Sequence, residues 1–231
     1  MLKRIIDIVL SFVAIVILLM PGMVVLLIKW LEDKSNPIYP AKRVTQNGKV
    51  FTMYKIRTMV PNAECLGGSS TSNSDSRITA VGGFLRAYKL DEVLQFINVL
   101  KGDLSFVGPR PTTVEEYESF SIEEKSTFSV KAGLTDFSSI IFSDEGLLLH
   151  GSKNPDALYQ SLIRPWKSEL GILYAKIPNT HLDILLIYYT MCNFFSRQYT
   201  LRRIYKLLLT LNAKPSLCEF VLERVSELDP N

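Results

Sequence analysis

The sequence predicts an α+β protein, α/β-like in its mixture of elements: a small β-hairpin sheet surrounded by helices and preceded by a membrane helix. Three observations predict it. Residues 8–28 carry no charge. Residues 50–59, rich in Val, Ile, Thr and Tyr, follow the turn-like Gln46-Asn47-Gly48-Lys49. Beyond residue 80, helical spacing and capping signals prevail. Composition narrows the field. Of 231 residues, 47% are hydrophobic, too many for a disordered chain. The charged 21% is dense from Lys29 onward, which excludes a bundle wholly embedded in lipid. A net charge of +3 falls short of the polybasic balance of a dedicated nucleic-acid binder. Cys65, Cys192 and Cys218 are odd in number and widely spaced, with no disulfide framework or zinc pattern, which fits a body facing a reducing cytosol.

The uncharged run of residues 8–28 makes about 32 Å of helix against a hydrocarbon core of about 30 Å. A secretory signal would be shorter and end at small residues, whereas this run ends in Lys29-Trp30-Leu31-Glu32. Pro21 removes a backbone donor, so a kink or break is expected there. Lys3 and Arg4 precede the run, and Lys29, Lys34, Lys42 and Arg43 follow it. Basic residues at both ends favour two cytoplasmic ends, which a helix that dips in and returns would satisfy. A kinked single-pass anchor is the alternative this pattern leaves open.

In the body, residues 50–59 read as a strand and residues 37–44 as its hairpin partner. Residues 61–75, rich in Gly, Ser and Asn, read as a mobile loop of the kind that closes over ligands. Residues 90–102 read as one helix, with Asp91 and Glu92 in its first turn and Gly102 as its stop. Pro109 and Pro111 stiffen the backbone around Arg110. Ser121 and Glu124 have the spacing of a capping box. Asn154-Pro155 opens a helix toward Tyr174, kinked at Pro165. Residues 182–195 are apolar but too short to span, hence core or interfacial. Residues 201–211 form a basic amphipathic helix, suited to an ordinary surface or to anionic lipid.

No phosphate-binding loop, dinucleotide fingerprint, zinc-protease motif or nucleophile elbow is present, and His150 and His181 are isolated. What remains is Asp91-Glu92 with Lys55, Arg57, Arg77, Arg86 and Arg110 around it. An acidic pair in a first helical turn is most often just a favourable charge on the helix dipole. Ionised carboxylates among phosphate-matching arginines, one arginine held in a stiff loop and all tethered to a membrane, point instead to phosphoryl chemistry on a lipid-linked substrate.

The residues then match a family. Lys3-Arg4-Ile5-Ile6-Asp7, the run from Gly48 to Met59, Arg77-Ile78-Thr79, Gly83-Phe84-Leu85-Arg86, Leu90-Asp91-Glu92 and Asn98 through Pro111 resemble the bacterial sugar transferases, the monotopic phosphoglycosyl transferases that include undecaprenyl-phosphate sugar phosphotransferases. The resemblance covers residues 3–210 and is of the short form. It implies transfer of a phospho-sugar from a UDP-sugar to undecaprenyl phosphate with release of UMP, initiating exopolysaccharide, lipopolysaccharide or glycoconjugate synthesis. It further implies Mg²⁺ as cofactor, a re-entrant N-terminal helix broken near Pro21, and the cytoplasmic face of a bacterial inner membrane. By this resemblance Asp91 is the nucleophile that takes the phospho-sugar, and Glu92 helps hold Mg²⁺. Arg86 and Arg110, then Lys55 and Arg57, bind the phosphates. The implied partners are the donor, the lipid acceptor, membrane lipid and downstream glycosyltransferases, with no nucleic acid.

The family's K-P-G-[IL]-T-G-W-A-Q-V-N-G-R run departs here to Lys131-Ala132-Gly133-Leu134-Thr135-Asp136-Phe137-Ser138-Ser139-Ile140-Ile141-Phe142-Ser143, which leaves donor recognition open. It also keeps a second reading, a catalytically weak scaffold that recruits other glycosyltransferases. The expected division is a membrane helix over residues 1–34, a transferase domain over 35–213 and a C-terminal appendix over 214–231.

Overall fold

The computed structural model describes residues 1–66 and 75–228. The centre of the Gly/Ser-rich stretch, residues 67–74, lies outside the described residues. The fold is mostly helical, with two small two-stranded sheets, in agreement with the expected class.

Helix α1 (Leu2–Asp33) inverts the usual pattern of burial. Its only buried residues are Asp7, Ser11 and Lys29, while Phe12, Ile17 and Met20 are exposed by 61%, 67% and 66%. A helix with polar groups turned inward and apolar groups outward is built for lipid. Helical backbone continues through Pro21, which stands inside α1, and runs on to a left-handed cap at Lys34. A proline forfeits one backbone bond, which the intact turns on either side outweigh.

Strands β1 (Ile38–Val44) and β2 (Val50–Ile56) pair antiparallel, with Val44 opposite Val50 and Tyr39 opposite Lys55. The turn between them needs positive φ at Asn47 (58°) and Gly48 (74°), which this residue pair adopts readily. Helix α2 (Ala80–Ala87) follows. The single helix expected over residues 90–102 is instead a 3₁₀ turn, Leu90–Glu92, and a separate helix α3 (Gln95–Lys101) capped by Gly102 at φ 87°. Strand β3 (Ser105–Val107) pairs in parallel with β4 (Gly133–Thr135).

Five short helices, α4 (Val114–Ser119), α5 (Ile122–Lys125), α6 (Phe137–Ile141), α7 (Glu145–Leu148) and α8 (Pro155–Leu158), stand in the chain between β3 and the long C-terminal helices. The Ser121–Glu124 capping box is present. The bend expected at Pro165 is taken up by a π-helical turn, Tyr159–Ile163, so Pro165 opens α9 (Arg164–Lys176) rather than kinking it. Helices α10 (Thr180–Phe195), α11 (Arg197–Thr210) and α12 (Pro215–Ser226) complete the chain.

The larger core joins Phe137, Ile140, Leu170, Leu186, Leu201, Ile204, Leu208 and Val221, and a smaller one joins Ala41, Phe51, Met53, Val99 and Leu104. Phe106 packs against both. Helix α12, expected as an appendix, contributes Leu217, Val221 and Val225 to the main core, and its Arg224 takes both oxygens of Asp144 at 2.7 Å.

Candidate active site

The site is built on the face where α3 meets the hairpin. Asn98, fully buried, accepts from the Tyr54 N–H at 3.1 Å and donates to the Thr52 carbonyl at 2.8 Å, so α3 is stapled to the backbone of β2. That staple brings the Leu90–Glu92 turn against Lys55. The turn is entered through Lys89 in left-handed conformation. The Lys55 ammonium lies 3.2 Å from Glu92 Oε1, and Arg110 grips the same carboxylate as a fork, Nη2 on Oε1 and Nη1 on Oε2 at 3.1 Å. Burial alone would raise the Glu92 carboxyl, but Arg110 and Lys55 outweigh it and hold Glu92 well below the usual carboxylate range. Arg110 is pushed up in turn, chiefly by Glu92.

The Pro109-Arg110-Pro111 loop is braced from behind. Arg110 Nη1 also donates to the Leu134 carbonyl at 2.8 Å. A side chain on Gly108 would stand 2.2 Å from the Lys131 carbonyl, so only glycine lets this loop approach β4. The departing run from Lys131 to Ser143 is therefore a buttress for Arg110. Asp136 in that run is buried and occupied in capping α6, accepting from Ser139 N at 2.7 Å.

Asp91 has a different environment. Its carboxylate makes no hydrogen bond among the described residues, and burial pushes it up from the ordinary aspartate value against the pull of Lys55 and Arg86. Arg86, half-buried on α2, spends only Nε, on Thr58 Oγ1 at 2.8 Å, and has no carboxylate partner among the described residues. Burial lowers its guanidinium, opposed by the charge of Asp91. The result is an open carboxylate beside an arginine whose two terminal amino groups make no hydrogen bond among the described residues and have the geometry to meet phosphate oxygens.

Helix α2 holds Arg86 there by close backbone contact. A Cβ at Gly82 would fall 1.8 Å from the Thr58 carbonyl oxygen. Thr79 caps the helix by accepting from Gly82 N at 3.0 Å, and Thr79 N donates to the Thr58 carbonyl at 3.1 Å. The end of α1 closes the same junction. Lys29, fully buried, donates to Thr79 Oγ1 at 3.0 Å and Glu32 at 2.6 Å, and Glu32 accepts from Val81 N at 3.1 Å. The long apolar helix α1 is thus wired to the helix that carries Arg86.

Of the residues expected in the site, Asp91, Glu92, Lys55, Arg86 and Arg110 come together. Arg57 does not: it forms a fork on Asp33 at 2.8 Å and 2.8 Å and binds the Asn36 carbonyl, fastening the end of α1 to β2. Glu92 is poorly suited to hold a metal, because both its oxygens already accept from cations. Among the described residues no three metal-binding side chains converge. The set does fit a cation bound by one open carboxylate, Asp91, with phosphate oxygens completing its shell, the usual manner of Mg²⁺. Thr58, Gly82, Lys29 and Asn98 escaped the sequence reading. Their only signal was position, a Gly beside a cap or a Lys at the end of an apolar run.

Comparison with known proteins matches residues 1–197 to the bacterial sugar transferase family, and the chain belongs to it. Relatives include the undecaprenyl-phosphate galactose phosphotransferase of Salmonella typhimurium, 39% identical over 149 residues, covering 58% of this chain and 31% of that protein. The galactosyl transferase CpsE of Streptococcus agalactiae is 39% identical over 135 residues, 53% of this chain and 30% of the relative. The exopolysaccharide production protein ExoY of Sinorhizobium fredii is 30% identical over 148 residues, 58% of this chain and 66% of the relative. The chain thus spans about a third of the length of the first two and two thirds of the last.

Proposed function

We propose that this bacterial sugar transferase moves a sugar 1-phosphate from a UDP-sugar to undecaprenyl phosphate, releasing UMP, by way of a covalent phospho-sugar on Asp91. The observation that carries the reading is the contrast within the dyad. Glu92 is neutralised and immobilised by Arg110 and Lys55, while Asp91 keeps an open carboxylate beside the free face of Arg86.

In the first step Asp91 Oδ attacks the β-phosphorus. The bond to the bridging oxygen breaks, and its electron pair leaves with UMP. In the second step an oxygen of undecaprenyl phosphate attacks the same phosphorus and restores the carboxylate. Both nucleophiles are already anions, so no general base is needed, which agrees with His150 and His181 both being exposed side chains outside the site. Arg86 binds phosphate oxygens and screens their charge from the attacking carboxylate; Arg110 and Lys55 keep Glu92 from adding a free negative charge to the site. A Mg²⁺ held by Asp91 and the substrate phosphates would supply further neutralisation of the developing charge.

The attachment of α1 supports a lipid acceptor and a location on one membrane face. At one end Lys3 binds Asp183 at 2.7 Å, Arg4 binds the Val99 and Leu100 carbonyls, and Asp7 accepts from Ser105 and Phe106. At the other, Lys29, Glu32 and Asp33 bind Thr79, Val81 and Arg57. With both ends fastened to one body, both stay on the side where that body lies, which we take to be the cytoplasmic face of the inner membrane. The relatives' names suggest a galactose-type donor for surface polysaccharide synthesis.

The test is UMP release by the protein in nanodiscs with Mg²⁺, undecaprenyl phosphate and a panel of UDP-sugars including UDP-galactose. Release with one donor, abolished in Asp91→Asn, is the expected result. No release with any donor from folded protein would overturn the reading in favour of a recruiting scaffold.

A further inference from the structure

Arg43 belongs to no part of the site described so far. Strand alternation puts it on one face of β1 with Tyr39 and Ala41, and the hairpin register adds Phe51, Met53 and Lys55 to that face. Lys55 is the partner of Glu92, so one end of this face borders the dyad, while Ala41, Phe51 and Met53 between pack in the smaller core. The end of β1 is also joined to the arginine loop. Val44 N donates to the Thr112 carbonyl at 2.9 Å, two residues beyond Arg110.

The guanidinium of Arg43 is half-buried, and its one hydrogen bond among the described residues is Nη1 to the neighbouring Lys42 carbonyl at 3.1 Å. No carboxylate pairs with it among the described residues. Other arginines at comparable depth are satisfied: Arg57 by Asp33, Arg164 by Glu124, Arg197 by Asp144. Burial lowers the Arg43 guanidinium and Arg110 lowers it further, against the attraction of Tyr39, Glu116 and Glu115. Two guanidinium groups near one another, one without a counter-ion, repel until an anion lies between them. Arg43 stands four residues along β1 from the Tyr39–Lys55 pair, about 13 Å by strand rise, and its long side chain can reach back over much of that span. Among the described residues Arg43 therefore adds an unpaired cation within electrostatic reach of Arg110, as Arg86 is of Asp91, and a nucleotide sugar carries a phosphate for each.

We infer that Arg43 binds the α-phosphate of the nucleotide sugar, the group that departs as UMP, while Arg86 serves the phosphate under attack. This rests on the proposed function, because it presumes a nucleoside diphosphate donor at Asp91. The acceptor's lipid phosphate has the same chemistry and is the competing source of the anion.

The experiment measures UMP binding by calorimetry, and the KM values for donor and acceptor, on the full chain in nanodiscs. Arg43→Gln is compared with Arg43→Lys and with Lys42→Gln, whose ammonium lies on the other face of the strand and binds Thr52. The expected result is a loss of UMP affinity and a rise in donor KM of about 10- to 100-fold in Arg43→Gln, with a smaller loss in Arg43→Lys, which keeps the charge but not the fork. Acceptor KM should be unchanged, and Lys42→Gln should behave as wild type. Wild-type UMP affinity in Arg43→Gln overturns the inference alone, as does a rise in acceptor KM instead. If Arg43→Gln does not fold, wild-type UMP affinity in Arg43→Lys overturns the fork assignment. Failure of the wild-type chain to bind UMP or release it overturns the proposed function and this inference with it.

Discussion

Replacing Gly82 by alanine adds one methyl group where the backbone has no room for it. The new Cβ would lie 1.8 Å from the Thr58 carbonyl oxygen, 2.6 Å from its carbon and 2.8 Å from Thr58 Cα. All three are main-chain atoms of the segment that follows β2, so no side chain can rotate away. To reach ordinary contact at 3.4 Å, α2 must retreat by about 1.6 Å. A shift of that size opens the 2.8 Å Arg86–Thr58 bond to about 4.4 Å, beyond hydrogen-bond range, and also strains the Thr79–Thr58 bond. Alanine gains about 1 kcal/mol over glycine inside a helix, while overpacking costs about 1–3 kcal/mol, so the net loss of stability is about 2 kcal/mol at most. Activity should suffer more, since displacing a positioned group by about 1 Å can cost about 100-fold in rate. The assay is UMP release for kcat/KM, with thermal unfolding alongside. Gly83→Ala is the control: its Cβ would meet nothing nearer than Ile78 at 3.9 Å, so it should keep full activity and gain up to about 1 kcal/mol. Gly82→Ala with wild-type kcat/KM would refute the argument that α2 positions Arg86 by backbone contact.

Asp91→Asn should lose at least about 1000-fold in activity yet be as stable as wild type or more so at pH 7, because burial raises the folded-state Asp91 carboxyl and the ionised folded form is penalised. The wild type loses that stability as pH rises from the unfolded value of about 3.9 through the raised folded value, so the gap between the two proteins should close in acid; thermal unfolding against pH checks it. Lys29→Met should destabilise by about 2–3 kcal/mol, less than a fully buried pair because Glu32 and Asp33 are 20% exposed, and should lower kcat by loosening the start of α2. Unchanged unfolding and turnover would contradict the coupling. Asn98→Ala removes both bonds that staple α3 to β2 and leaves Tyr54 N unpaired, for a loss of about 2–4 kcal/mol read by denaturant unfolding.

Local signals in the sequence carried far. The hairpin was legible because Asn47-Gly48 tolerates positive φ, the α5 start because Ser121 and Glu124 satisfy each other, and the dyad and Arg110 because their flanking motif is long and specific. The features that escaped depend on partners distant in the chain. Nothing between Leu90 and Lys101 breaks a helix by propensity, yet Lys89 enters the turn at φ 57° and the staple from Asn98 to β2 fixes where α3 begins. Arg57 looked like a phosphate ligand until Asp33, twenty-four residues away, claimed its fork. Lys29 read as a flanking charge, and its full burial follows only from the docking of α1 on Thr79. Likewise the run from Lys131 to Ser143 gave no hint that its Leu134 carbonyl steadies Arg110.

The central claim is a covalent intermediate on the open carboxylate of the dyad. Its most direct test is intact-protein and peptide mass spectrometry of the wild-type chain incubated with Mg²⁺ and the UDP-sugar, with no undecaprenyl phosphate present. The account predicts a burst of UMP matched by a mass increase of one phospho-sugar, mapped to Asp91, absent in Asp91→Asn and discharged when the lipid acceptor is added. A label on Glu92, or UMP release that begins only with acceptor and leaves no labelled protein, would contradict it.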